Sequence, residues 1–233
     1  MKIAVDAMGG DYAPQATVQG SIDALNNSNK KLEIILLGDE NQINDILQSQ
    51  FSNNIKVIHC SDEVTMEDNG AKVIKSKPDS SIVQGIQLVK DHKADAFISA
   101  GNTGAQLAVS RLILGRIPHV KKPGLAVYFQ ALNEKKVLCD VGANPEVKSE
   151  HILQFAIMSS VYLDHIEGVK NPKVGLINIG IEPSKGTELY QQAYKLLSNE
   201  LPNFVGNIES RNFFDSSAHI LVCDGFVGNT IMK

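Results

Sequence analysis

The chain has 233 residues, of which 43% are hydrophobic, 21% charged and 6% aromatic, and it carries a formal net charge of −4. A chain of this length buries a real core, and this composition excludes wholesale disorder. The acidic balance also removes the simplest case for nucleic acid as a partner, since phosphate-backbone binding needs a concentrated positive face.

Along the chain, short β-branched runs end in Gly, Asp or Asn and give way to helical periodicity. Strands are expected over 2–8, 33–39, 55–60, 94–99, 124–130, 136–141, 173–179, 204–208 and 220–224. Several are apolar on successive residues, such as Ile34-Ile35-Leu36-Leu37, which suits a sheet covered on both faces. Helices are expected near 15–26, 42–50, 104–114 and 150–163. A further helix carries the stripe Ile82, Val83, Ile86 and Val89 after a cap at Asp79 or Ser80. Another, after Gly186-Thr187, carries Leu189, Ala193, Leu196 and Leu197. This alternation predicts one doubly wound α/β/α domain over 1–233 with a largely parallel sheet. Strands 124–130 and 136–141 lie too close for a crossover and are expected to form an antiparallel hairpin. At the end, an apolar helix is expected to open at Thr230 just before Lys233, which reads as a truncated chain.

Three cysteines, Cys60, Cys139 and Cys223, sit beside apolar runs, the profile of buried reduced thiols in a cytoplasmic protein. Asp6 places a charge where a signal-peptide core would form, and no apolar stretch approaches the roughly 20 residues of a membrane span.

Ligands of an open α/β sheet bind beyond the carboxyl ends of its strands, and small and polar residues gather there in this chain. They are Asp6 to Asp11, Ser99 to Ala105, Asp140 to Pro145, Asn178 to Gly186 and Asp224 to Asn229. Gly101-Asn102-Thr103-Gly104 has the make-up of an anion cradle, because glycine lets backbone N–H groups approach a ligand at a helix start. It also reads as an ordinary strand-to-helix turn with Thr103 as cap, and it is neither a Walker A loop nor a dinucleotide fingerprint. Lys185 precedes a helix N-terminus, where a cation costs roughly 0.3–1 kcal/mol unless an anion sits between. A solvated lysine on a flexible turn is the plainer alternative. Asp6, Asp11, Asp140 and Asp224 raise a divalent-metal reading, but strand-end aspartates usually cap helices and no His or Cys ligand spacing supports one, so no metal is expected. The six histidines are scattered, which gives no support to a His-based triad. Lys72, Lys75 and Lys77, with Arg111, Arg116, Lys121 and Lys122, are candidate docking groups for an acidic partner, or simply a solvated face.

Taken in order, these motifs resemble the PlsX family of bacterial acyl-carrier-protein:phosphate acyltransferases. The most specific stretch is Ile3-Ala4-Val5-Asp6-Ala7-Met8-Gly9-Gly10-Asp11-Tyr12-Ala13-Pro14. Supporting it are Lys77-Pro78-Asp79-Ser80-Ser81, Ser99 to Ala105, Asp140-Val141-Gly142-Ala143-Asn144, Leu176 to Gly180 with Lys185-Gly186, and Cys223 to Asn229. Near the end, Glu209-Ser210-Arg211-Asn212 stands where the family usually reads Glu-Gly-Arg-Asp.

The resemblance implies an isocitrate/isopropylmalate-dehydrogenase-like fold, a homodimer and no cofactor. It implies transfer of a long acyl chain from acyl-carrier protein to inorganic phosphate. The acyl phosphate would feed a membrane glycerol-3-phosphate acyltransferase in phospholipid synthesis, with peripheral association at the inner face of the membrane. For such a reaction the residues themselves suggest Lys185, Asn229 and Asn144 as catalytic, with Lys185 and Gly101–Gly104 expected to bind phosphate and Asn229 and Asn144 to orient the thioester carbonyl. Asp6, Gly9, Gly10, Asp11, Ser81, Gly101, Asn102, Thr103, Gly104, Asp224 and Gly225 are expected at the substrate, with Asp6, Asp11 and Asp224 bracing the loops. Two other readings stay open: a nicotinamide-dependent hydroxy-acid dehydrogenase, and an inactive phosphate- or acyl-binding fragment.

Overall fold

Runs of Ile, Val and Leu bounded by Gly, Asp and Asn form two separate sheets in the computed structural model, which describes residues 1–47, 53–132 and 134–233. The single sheet expected from the sequence is therefore corrected to two, one in each of two compact units, Met1–Gly115 and Arg116–Lys233.

Unit 1 holds β1 (Lys2–Asp6), β2 (Glu33–Gly38), β3 (Ile55–His59) and β4 (Ala96–Ile98) in the order β3-β2-β1-β4, all parallel. Its helices are α1 (Gln15–Asn27), α2 (Glu40–Leu47), α3 (Gly70–Ser76), α4 (Ser81–Lys90) and α5 (Thr103–Ile113). The expected end of α2 falls on 48–50, outside the described residues. The doubly apolar β2 is buried on both faces. Leu36 packs with Val18, Ile22 and Ile43, while Ile35 and Leu37 pack with Ala4 and Cys60. On α4 the predicted stripe is buried at Ile82, Val83 and Ile86, and the N-cap position is Ser80. Its side chain makes no cap bond, and Asp79 instead accepts from the amide and hydroxyl of Ser61, at 2.9 and 2.7 Å.

Unit 2 holds β5 (Ala126–Gln130), β6 (Lys135–Cys139), β7 (Val174–Asn178), β8 (Phe204–Glu209) and β9 (Ile220–Val222) in the order β5-β6-β9-β7-β8. The expected hairpin is present: β5 and β6 pair antiparallel, with Ala126 opposite Cys139 and Gln130 opposite Lys135. The remaining pairs are parallel. The helices are α6 (Ser149–Tyr162), extended by a π-helical turn at Leu163–Glu167, α7 (Glu188–Glu200) and α8 (Gly225–Met232). One face of the sheet packs Val137, Leu176, Ile220 and Val222 on Phe155, Ala193 and Leu197. The other packs Leu138, Ile177 and Leu221 on Phe213.

Two boundaries move for local reasons. On α7 the predicted Ala193 and Leu197 are buried, and Tyr190 joins them where Leu189 and Leu196 of the predicted stripe are only half-buried. Helix α8 starts at Gly225, five residues before Thr230, because Asp224 Oδ1 accepts from the amides of Phe226 and Val227 at 2.9 and 3.0 Å. An aspartate in that N-cap position holds a helix start even when glycines follow.

Candidate active site

Parallel pairing brings the strand-end motifs together on the carboxyl rim of each sheet. In unit 1, Val5 lies opposite Ile98, so the turns after β1 and β4 are neighbours. Ser99 ties them together: its hydroxyl donates to Asp6 Oδ2 at 2.7 Å and accepts from the Gly101 amide at 3.0 Å. Asp6, 2% exposed, also accepts from the Met8 amide at 3.1 Å through Oδ1. Gly9 fits this crossing because a Cβ there would overlap Asp6 Oδ2 and lie 2.8 Å from Gly101 N. Gly10 follows with φ +109°, a conformation glycine adopts without strain. Asp11 is exposed.

The Gly101–Gly104 turn opens α5. Asn102, and not Thr103, is the cap: its Oδ1 accepts from Ala105 N at 2.9 Å. Its Nδ2 reaches the carbonyls of Thr65, at 2.9 Å, and Asp68, at 3.1 Å, and clamps the 65–68 loop onto the turn. Gly101 N and Asn102 are thus committed inside the protein. The exposed first-turn residues Thr103 and Gly104 have amides with no intrahelical acceptor, and among the described residues these are the donors the cradle leaves to a ligand. Ser81 is 2% exposed at the start of α4. A cavity of about 280 Å³ lies between α1 and the strands, lined by Ala16, Gly20 and Ala24 of α1 and by Val5, Ile34 and Ile98, and it reaches Asp6 and Ser99.

In unit 2 the rim is organised by two carboxylates. Asp140, fully buried, accepts from the amides of Leu125, Gly142 and Ala143 through Oδ1, and from both nitrogens of Asn144 through Oδ2. Asn144 Nδ2 also donates to the Pro123 carbonyl at 2.7 Å, so this side-chain amide points into the turn. Asp224 caps α8 and accepts from the Tyr190 hydroxyl at 2.6 Å; burial, then the bond to Asp224, pushes the phenol far above its ordinary value. Gly225 lies where a Cβ would be 2.8 Å from the Asn144 carbonyl. Asn229 is exposed on α8, beside the open face of Gly142.

The β7 turn completes this rim. Asn178 Nδ2 donates to the Lys185 carbonyl and to Asn207 Oδ1, both at 3.1 Å, and Gly186 turns with φ +85° against Asn178. The Lys185 stem lies over Gly180 and its ammonium is exposed, with no hydrogen bond or ion pair among the described residues. Among the described residues, the chemistry available here is the unpaired Lys185 cation, the exposed Asn229 amide and two braced turns.

Sequence reasoning names Ser99 only as part of its strand-end motif and misses Tyr190 and Asn207, whose hydroxyl and amide hold the turns of unit 2. Their only signal was a polar residue beside an apolar run. All three cysteines are buried and free, and burial pushes the Cys60 and Cys139 thiols up to about 12, which disfavours a thiolate nucleophile. Of the basic run, Lys77 is removed from any docking surface: its ammonium binds Asp68 and the Glu63 carbonyl, each at 2.6 Å. No group of three or more His, Cys, Asp or Glu among the described residues is arranged to hold a metal.

The family described as "Fatty acid synthesis protein" matches residues 1–233. Relatives named phosphate acyltransferase align along the whole chain, at 47% identity in Clostridium tetani and 45% in Dictyoglomus turgidum, with 70% of each relative covered. The chain belongs to the phosphate acyltransferase family. Its fold is also that of more distant solved structures. EutD phosphotransacetylase from Staphylococcus aureus matches at TM-score 0.67 and 17% identity, over 99% of this chain and 79% of that one. A branched-chain phosphotransacylase from Enterococcus faecalis matches at TM-score 0.66 and 16% identity, over 100% and 83%. These likenesses set the family's α/β architecture beside phosphotransacylases; the expected kinship with dehydrogenases is not what they carry. Among the described residues of this family member, no helix is long and apolar enough to cross a membrane.

Proposed function

We propose that the chain transfers a long-chain acyl group from acyl-carrier protein to inorganic phosphate, giving an acyl phosphate for phospholipid synthesis. The observation that carries this is the alignment of the whole chain with relatives named phosphate acyltransferase. The rim chemistry supports it. A phosphate oxygen attacks the thioester carbonyl, the tetrahedral oxyanion collapses, the C–S bond breaks, and the sulfur leaves with a proton. Phosphate is already largely ionised near neutral pH, so the step needs no Ser–His nucleophile. It needs an anion held in place and donors aimed at the developing oxyanion.

In unit 1, taken by itself, the exposed first-turn residues Thr103 and Gly104 offer amides to an anion. In unit 2, taken by itself, Lys185 offers a cation to phosphate and Asn229 a side-chain amide to the developing oxyanion. Asn144, with its Nδ2 held by Pro123 and Asp140, braces its turn and does not orient the thioester. Asp6 and Asp224 brace theirs. The product suits a membrane glycerol-3-phosphate acyltransferase, and a homodimer at the inner membrane face completes the proposal.

The test is phosphate-dependent release of thiol from an acyl-carrier thioester, with the acyl phosphate trapped by hydroxylamine. Lys185→Ala is expected to slow the reaction about a hundredfold, the scale of losing one oxyanion donor. An unchanged rate and phosphate dependence would remove Lys185 from the mechanism. No thioester loss in the wild type would favour the inactive-fragment reading, and stabilisation by a nicotinamide cofactor the dehydrogenase one.

A further inference from the structure

Cations from two distant stretches gather around the first turn of α6. Arg116, Lys121 and Lys122 come from the segment before β5, and Lys148 stands at the helix N-cap. The segment is fixed in place and not loose. Arg116 Nη1 donates to the Lys121 carbonyl at 3.0 Å, and Lys121 N donates to Gln154 Oε1 at 2.9 Å. Gln154 Nε2 in turn donates to the His119 carbonyl at 2.9 Å, and Lys122 Nζ holds the Glu146 carbonyl at 2.7 Å. Lys121 pairs with Glu150. Arg116, Lys121 and Lys148 are exposed, as is Ile117, at 67%. Burial first, then Lys122, with Lys121 and Lys148 and against the opposing pull of Glu150, holds the His151 imidazole below its ordinary value.

Like charges at the positive end of a helix repel it and one another. That arrangement, on a chain of net charge −4, is relieved when an acidic surface lies against it. Two features favour a folded acidic protein over an anionic membrane. Glu146 and Glu150 are interleaved with the cations, which gives a pattern with register, and a membrane patch is a run of uniform basic charge. Ile117 adds a single apolar contact inside the patch, as a protein interface core does.

We propose that Arg116, Lys121, Lys122 and Lys148 form the docking surface for the acidic carrier protein that delivers the acyl group. This rests on the function proposed above, and it assigns a place to the donor's protein part, away from the thioester chemistry. Such a surface acts chiefly on encounter and register, so its loss weakens binding in a salt-dependent way.

The experiment measures binding of fluorescently labelled acyl-carrier protein to the 233-residue chain across a salt series, with Lys121→Glu/Lys148→Glu as the variant. A carboxylate at position 148 suits a helix N-terminus, and thermal melts check the fold. Lys195→Glu, exposed on α7, is the control for net charge. The expected result is binding at least tenfold weaker in the double variant, with a shallower salt dependence and little change in the control. KM for the carrier-bound thioester rises while turnover of a small acyl-pantetheine thioester stays level. Unchanged carrier binding, or equal weakening by Lys195→Glu, overturns the proposal. So does loss of binding to phosphatidylglycerol vesicles with carrier binding intact. If the double variant loses carrier binding but the wild type transfers no acyl group to phosphate, the docking surface stands and the proposed reaction falls.

Discussion

The two rims solve one problem in different ways. Each strand-to-helix turn exposes backbone N–H groups that must find acceptors or a ligand. Unit 1 closes its rim by proximity: Gly9 lets the β1 turn touch Gly101, Gly70 lies against the backbone of Gly104, and Asn102 clamps a loop through its side chain. Unit 2 closes its rim with charge: Asp140 gathers four backbone amides and a side-chain amide, and Asp224 gathers two amides and a phenol. A rim built on small residues keeps first-turn amides open to solvent, as at Thr103 and Gly104. A rim built on buried carboxylates satisfies its amides internally and leaves side chains, Lys185 and Asn229, to face outward.

The difference is most easily broken at its carboxylates. Asp140→Ala is expected to destabilise unit 2 by about 3–4 kcal/mol, since several buried donors lose a charged acceptor at once. Asp6→Ala removes two hydrogen bonds, from Met8 N and Ser99 Oγ, and is expected to cost about half as much. Urea unfolding of both variants measures the ratio, and an equal or reversed cost would mean that charge does not organise the second rim. The converse test is Gly9→Ala. Its Cβ meets Asp6 and the Gly101 backbone, so about 1–3 kcal/mol of overpacking is expected, together with weaker phosphate binding in titration calorimetry. Full stability with unchanged phosphate affinity would show that the close approach in unit 1 is incidental.

Which parts of this were legible in the sequence follows from which signals are local. Strand positions were readable because runs such as Ile34–Leu37 need burial on both faces, and the β5–β6 hairpin because five intervening residues cannot cross a sheet. The division into two sheets was not readable. Strand order depends on contacts between distant segments, such as β6 with β9, and both sheets share one local pattern. At the sites, glycine and aspartate announced the turns, but the partner of each side chain did not show. Asn102 reads as a ligand-binding amide until its bonds to Thr65 and Asp68 are seen, thirty-odd residues back in the chain. Asn144 reads the same way until its carboxylate neighbour and the Pro123 carbonyl account for its side-chain amide. Lys77 looked like a member of a basic surface, and only the folded chain brings Asp68 beneath it.

The smallest expected effect separates the units by pH. In unit 1 the bond to Lys77 holds the Asp68 carboxyl below its ordinary 3.8, so its contribution is present above that value and fades as pH falls through the lower, folded one. In unit 2 the shift has the opposite chemistry. His151 accepts the Lys148 amide through Nδ1 at 3.0 Å, which keeps the ring neutral. Burial first, then Lys122, Lys121 and Lys148, against the opposing pull of Glu150, hold its pKa below the ordinary 6.5. Between the folded value and 6.5 the unfolded chain binds a proton that the folded chain refuses, so stability falls as pH drops through that window. Unfolding free energy measured from pH 7 downward should decline just below 6.5 in the wild type and stay flatter there in His151→Gln. An identical slope in the two proteins would show that the imidazole is not what makes this end of α6 sensitive to acid.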